Sequence, residues 1–171
     1  MNFIANIIEK ASALNGTVVL PEGQDPRVIA AACACVDRKI CTPVVLGTAA
    51  EIAAAEEKAN QAPASGDSPS AASLVQKARL SLADRGIKVI DYTAGDAELE
   101  AAYLAAWNAK ESKKPAEKQK IIDLAAAQNT LRSKRIYFGG MMVKLGRVDG
   151  LVAGSIASTG DMLRAAFHTL G

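Results

Sequence analysis

The feature that most constrains this chain is a repeated alternation of short β-branched runs with segments of helical period. Phe3, Ile4, Ile7, Ile8 and Ala11 recur at helical spacing until Asn15-Gly16, a pair suited to a left-handed helix end. Thr17-Val18-Val19-Leu20 follows as a strand closed by Pro21-Glu22-Gly23. Asp25-Pro26 then opens a helix, the carboxylate capping it and the proline at its first position, and Val28, Ile29, Ala32, Cys33 and Val36 mark its buried face. Val44-Val45-Leu46-Gly47 reads as the next strand and Glu51 to Ala59 as the next helix. Strand, helix, strand, helix predicts an α/β domain on a mostly parallel sheet with right-handed crossovers.

The alternation resumes after a Pro, Ala, Ser and Gly stretch at Asn60 to Ser73, which is expected to be a mobile surface insertion within one domain spanning 1–171. Leu74 to Arg85 is predicted helical, Ile87 to Asp91 a strand, and Asp96 to Lys110 a helix. Lys110 to Lys120 is polar and basic, with Pro115 starting a helix that carries Ile121, Ile122, Leu124 and Ala125. A helix over Ile136 to Leu145 contains Gly139-Gly140, where missing side chains let another backbone approach. Arg147 to Gly154 is expected as the last strand and Asp161 to Leu170 as the last helix.

Composition excludes several classes. Half of the 171 residues are hydrophobic, which rules out a disordered tail. Twenty basic residues against 18 acidic leave net +2, too little for the field of a dedicated nucleic-acid or membrane-surface binder, so any anion site must be local. Lys110 to Arg135 is locally basic but lacks interleaved aromatics, and no nucleic-acid partner is expected. Cys33, Cys35 and Cys41 form no CxxC, so a reducing compartment is expected, with Cys33 and Cys35 as small buried hydrophobes. No apolar run reaches the roughly 18 residues of a membrane span, and Glu9, Lys10 and Asn15 interrupt any leader, which points to the cytoplasm. His168 is the sole histidine and reads as a structural one; no metal site is expected. Tyr103 and Trp107, one turn apart, read as core cover.

Chemistry concentrates in Val148 to Arg164. The predicted strand ends in Gly154-Ser155, passes through Ile156 to Gly160 and enters a helix at Asp161. Backbone N–H groups and the hydroxyls of Ser158 and Thr159 there suit an anion, because first-turn donors lack intrahelical partners and the helix dipole favours negative charge. Arg164, one turn in, brings a guanidinium fork to such an anion. The plainer alternative is that Ser158 or Thr159 only caps the helix and Arg164 pairs with Asp161 in water.

Leu20-Pro21-Glu22-Gly23 with Asp25-Pro26-Arg27, Pro43 to Gly47, Tyr137 to Gly146 with Val148 to Gly154, and Ser158-Thr159-Gly160-Asp161-Met162-Leu163-Arg164 together resemble the phosphate acetyl/butyryltransferase family in order and spacing. The resemblance spans almost the whole chain. It implies a Rossmann-like three-layer, two-domain fold with an interdomain site, and reversible transfer of an acetyl group between acetyl phosphate and coenzyme A. Coenzyme A and acetyl-CoA are then substrates, phosphate is a product, and neither metal nor covalent cofactor is used. By the same resemblance Ser158, Thr159 and Arg164 bind substrate, and none of them is a general base.

Two departures qualify it. Where the family carries an arginine in a basic motif, this chain has Lys110, Lys113 and Lys114, which either contact coenzyme A phosphates or form a solvated loop. Family members also continue well past Gly171 into a half that supplies the thiol-activating base, so the chain reads as an N-terminal portion, inactive alone, with no catalytic residue assigned in it. An apolar surface left bare by that half would favour self-association, and a homodimer is expected. The alternatives are a non-catalytic anion-binding or interaction module on the same fold and a phosphate butyryltransferase.

Overall fold

The computed structural model describes residues 3–61 and 79–171. In chain order the elements are α1 (Phe3–Leu14), β1 (Thr17–Leu20), α2 (Pro26–Asp37), β2 (Thr42–Leu46), α3 (Ala49–Gln61), β3 (Lys88–Ile90), α4 (Ala97–Glu111), α5 (Leu124–Ser133), α6 (Arg135–Lys144), β4 (Gly150–Leu151) and α7 (Thr159–Thr169). The four strands form one parallel sheet in the order β3-β2-β1-β4, with Val19 opposite Val44 and Leu151, and Val45 opposite Val89. The α/β class with a mostly parallel sheet is therefore as the alternation predicts.

Alternate strand residues go to opposite faces, so each strand feeds two cores. Val19, Val44 and Leu46 pack with Leu99, Tyr103, Leu131, Phe138 and Met141 under α4 to α7. Leu20 and Val45 pack with Ile29, Cys33, Ile52 and Leu82 under α2 and α3. Three layers result.

Local signals place most boundaries. Asn15 takes a positive φ of 47° where α1 ends. Asp25 caps α2 by accepting from the Arg27 N–H at 2.8 Å, with Pro26 in the first turn. Gly139 and Gly140 are buried in α6, Gly139 facing Leu151 and Val19 of the sheet and Gly140 facing Thr169 of α7. Cys33 is buried, whereas Cys35 is only half-buried; burial and the neighbouring Cys41 push the Cys35 thiol up to about 12.

Elsewhere the structure departs from the periodicity. Asn60 and Gln61 belong to α3, and the Asn60 amide ties the helix to Leu80 through bonds to its N–H and carbonyl of 2.8 and 2.9 Å. The rest of the expected insertion, to Ser73, and residues 74–78 of the expected helix lie outside the described residues; within 79–85 the helical element is a 3-10 turn at Ala83–Arg85. Pro115 precedes another 3-10 turn, and the helix begins only at Leu124, capped by Asp123. Ile121 and Ile122 are excluded from it because the Asn108 side chain bonds both the N–H and the carbonyl of Ile122, at 2.9 Å each. The last strand shrinks to Gly150–Leu151, extended by backbone bonds from Asp149 to Thr17 and from Val152 to Val19. α1 buries no side chain, and Leu163 and Phe167 of α7 and Leu170 directly after it are exposed. Among the described residues no helix is long and apolar enough to cross a membrane.

Candidate active site

In a parallel sheet of order 3-2-1-4 the chain leaves β1 and β4 toward opposite sides, which opens a crevice at their carboxyl ends. Two loops meet there: residues 21–25 after β1, and 152–158 after β4. Glu22, only 3% exposed, joins them. Its Oε2 accepts from the N–H groups of Gly154 and Ser155 at 2.6 and 2.8 Å and from Ser155 Oγ at 3.0 Å; its Oε1 accepts from the N–H groups of Ile156 and Ala157 at 2.9 and 2.7 Å. Gly154, at φ 106°, supplies the turn that lets successive amides converge on one carboxylate, a backbone conformation L side chains rarely adopt. Burial alone would raise the Glu22 carboxyl, but the four backbone donors outweigh it and hold the group below its ordinary value. Beside it, Arg27 pairs with the buried Asp25 at 2.6 Å and donates to the Ser155 carbonyl at 2.6 Å.

A cleft of about 290 Å³ opens over this junction. Glu22, Gln24, Ile156 and Ala157 form one wall; Lys134, Arg135 and Tyr137, at the start of α6, form another; Asp161 and Arg164 project from α7. Three cations therefore border it. Arg135 is committed to Glu51 at 2.8 Å, the Tyr92 hydroxyl at 2.9 Å and Gln24 Oε1, and its guanidinium lies over the Tyr92 ring at 4.9 Å. Lys134 rests its ammonium 5.1 Å from the centre of the Tyr137 ring and has no carboxylate partner among the described residues. Arg164 meets Asp161 at 3.1 Å, with both side chains more than half exposed, so this pair contributes little to stability and its guanidinium can be recruited by a ligand.

The sequence-predicted residues divide. Arg164 borders the cleft; Ser158 and Thr159 do not. Ser158 caps α7 by accepting from the Asp161 N–H at 3.2 Å, and its hydroxyl donates to Asp161 Oδ2 at 2.7 Å. Thr159 is exposed at the first position of the helix. The loop amides of 154–157, expected to be free for an anion, are all taken by Glu22. None of Lys110, Lys113 and Lys114 lines the cleft: Lys110 donates to the Phe167 carbonyl at 2.8 Å near the end of α7, Lys114 pairs with Glu111, and Lys113 is exposed. Tyr103 is buried in the core and Trp107 packs against it at 5.9 Å, as core cover should. The residue pattern gives no site role to Glu22 or Lys134. An acidic residue in a Pro-Glu-Gly turn directly after a parallel strand was the available signal for the first; the second carries none.

His168 Nδ1 lies 2.9 Å from the Tyr137 hydroxyl, and its ring stands edge-on to Trp107. Burial, followed by Lys110, Arg164 and Lys134, lowers its pKa from 6.5. Below pH 6.5 the unfolded chain therefore takes up a proton that the folded chain resists, so stability falls as pH drops from 6.5 through the lower folded value. The lowered carboxylates, Glu22 and Asp25 among them, are lost only from about pH 4.5 downward. Melting temperature should fall between pH 7 and 5 in the wild type and flatten in His168→Phe; a wild-type rise on acidification in that window contradicts the assignment.

The fold is thus a three-layer α/β domain on a parallel sheet, with a crevice at its switch point that three cations border. The model of the family Phosphate acetyl/butaryl transferase matches residues 2–171, and the chain belongs to that family. It is 35% identical over 168 residues to a phosphate acetyltransferase of Thermoanaerobacterium thermosaccharolyticum, covering 98% of this chain and 42% of that protein. A Staphylococcus aureus phosphate acetyltransferase is 32% identical over 162 residues, covering 95% and 40%. Among solved structures, a phosphotransacetylase from Streptococcus pyogenes superposes with a TM-score of 0.65 at 27% identity, covering 99% of this chain and 43% of that one. The EutD phosphotransacetylase from Staphylococcus aureus gives 0.65 at 29% identity, with the same coverage. The chain thus spans about two fifths of the length of these relatives.

Proposed function

We propose that the crevice between β1 and β4 holds the phosphoryl group of acetyl phosphate, in reversible acetyl transfer to and from coenzyme A. The observation that carries this is the pair of recruitable cations, Lys134 and Arg164, facing one cleft at the carboxyl edge of the sheet. In the forward direction the coenzyme A thiolate attacks the acetyl carbonyl, a sulfur–carbon bond forms, and the carbon–oxygen bond to phosphate breaks with its electron pair leaving on phosphate. The thiol proton goes to a base. Glu22 is a poor candidate for it, since both its oxygens are filled and its carboxyl is held low; the residues of this chain serve binding. Arg164 and Lys134 would gather the phosphate oxygens and stabilise the charge that grows on them as the bond breaks. Three unpaired cysteines accord with work in the reducing cytoplasm.

The test is binding of acetyl phosphate and of inorganic phosphate to the 171-residue chain, by calorimetry. Arg164→Ala should weaken affinity about ten-fold to a hundred-fold, the 1.5 to 3 kcal/mol of a charge-assisted hydrogen bond. Arg164→Lys should recover part of it, because an ammonium keeps the charge and loses the fork. Unchanged affinity in Arg164→Ala means that the pair with Asp161 is only a surface contact of about 0 to 1 kcal/mol. Phosphate binding without preference for acetyl phosphate would favour a non-catalytic anion module, and tighter binding of butyryl phosphate a butyryl substrate.

A further inference from the structure

We propose that Glu22 is the positioning residue of this cleft: its buried carboxylate gathers four successive amides of the loop before α7, and so sets where that helix begins and where Arg164 is presented. This rests on reading the cleft as the acyl phosphate site.

A carboxylate has about four lone-pair directions, and Glu22 meets five donors, all from residues 154–157. No acceptor capacity is left for substrate, and the negative charge faces the same cleft that Arg164 borders. Its part is therefore not to bind the ligand. Ala157, the last residue it holds, is followed directly by Ser158, the N-cap of α7. Fixing the four amides fixes the direction in which the helix leaves, and Arg164 lies one turn along it. Arg27 adds a second tie from the same side of the crevice, donating to the Ser155 carbonyl while held by Asp25. Without Glu22 the four N–H groups converge on nothing, and a loop containing Gly154 has little else to hold its shape.

Glu22→Gln keeps the length and removes the charge, replacing one acceptor by a donor that faces other donors. Amide proton shifts and hydrogen exchange at 154–157 in the 171-residue chain, with calorimetric titration of inorganic phosphate, test the proposal. Expected are loop exchange at least ten-fold faster, loss of the carboxylate-bonded amide shifts, and phosphate affinity about ten-fold weaker, with exchange in β1 and β2 unchanged. Glu22→Asp should restore part of both. Unchanged loop exchange overturns the proposal. So does exchange that quickens in step throughout the domain, or a loosened loop with undiminished affinity. Should Glu22→Gln fail to fold, Glu22→Asp asks the same question: the shorter carboxylate cannot reach all four amides, so loop exchange should quicken and phosphate affinity weaken with it, and no change in either overturns the proposal. A wild-type chain that binds no phosphate refutes the reading of the cleft and with it the presentation of Arg164, while the exchange data still show whether Glu22 orders the loop.

Discussion

Arg132→Ala should destabilise the domain by about 1 to 3 kcal/mol, whereas replacing both Arg132 and Glu100 by methionine should leave stability nearly unchanged. Glu100 is 1% exposed, on the face of α4 turned to α5. Its Oε1 accepts from Arg132 Nε at 2.7 Å and its Oε2 from Gln128 Nε2 at 3.0 Å. Removing the arginine strands a buried carboxylate with one neutral donor, and the cost of a buried charge is then no longer offset. The arginine side chain is itself 42% exposed, so solvent already screens the pair and the lower range applies. The double methionine variant removes both charges and fills the space with apolar volume. Urea unfolding at neutral pH reads both effects, as does a melting shift of about 2 to 4 °C per kcal/mol for a chain of this length. There is a linked effect of acid. The Arg132 hydrogen bond outweighs burial and holds the Glu100 carboxyl low, so its stabilisation is present above the ordinary carboxylate value and is lost as pH falls through the lower folded one. In Arg132→Ala that loss should begin at higher pH. A single variant within about 0.5 kcal/mol of wild type would show the pair to be no more than a surface contact.

The second large effect is expected at Gly140, where propensity and packing disagree in sign. Alanine in a helix interior is favoured over glycine by about 0.5 to 1 kcal/mol, so Gly140→Ala should stabilise α6 if nothing stood opposite. A Cβ at Gly140 would meet the Thr169 side chain, with the Thr169 Cβ at 3.0 Å. Thr169 is 1% exposed and its hydroxyl donates to the Ala165 carbonyl at 2.9 Å, so it has nowhere to move. Overpacking of this kind costs about 1 to 3 kcal/mol, and the net effect should be destabilising. Adding Thr169→Ala removes the hydroxyl and methyl but not the Cβ, and should restore part of the loss non-additively. Stabilisation by Gly140→Ala alone would mean that α6 and α7 lie further apart than described.

Because α7 carries Arg164 and packs on α6, this contact also connects the core to the cleft. Its glycine pair was legible in the residues as a place of close approach, and so were β1, β2 and the Asp25-Pro26 start of α2. Each of these is set by interactions within a few residues: β-branched side chains that favour extended backbone, a carboxylate that caps the next turn, a proline whose φ suits a helix start. The place of Arg164 in the first turns of the last helix was likewise legible from its spacing to Ser158 and Asp161.

Other features depended on partners far away in the chain. Ile121 and Ile122 have the spacing to join a helix with Leu124 and Ala125, yet they stay outside it. Asn108, Trp107 and Glu111 of α4 capture the backbone at Ile122 and Lys120 in bonds of 2.7 to 2.9 Å, which helix formation would have to break. The amides of Gly154 to Ala157 were visible as donors, but their acceptor stands 132 to 135 residues earlier. Only the strand order β3-β2-β1-β4 brings the loop after β1 beside the loop after β4, and that order is decided by which sheet edges pair and which faces two cores bury. Local backbone preference is written in neighbouring residues, whereas the satisfaction of a buried polar group is decided by whatever the tertiary fold sets against it.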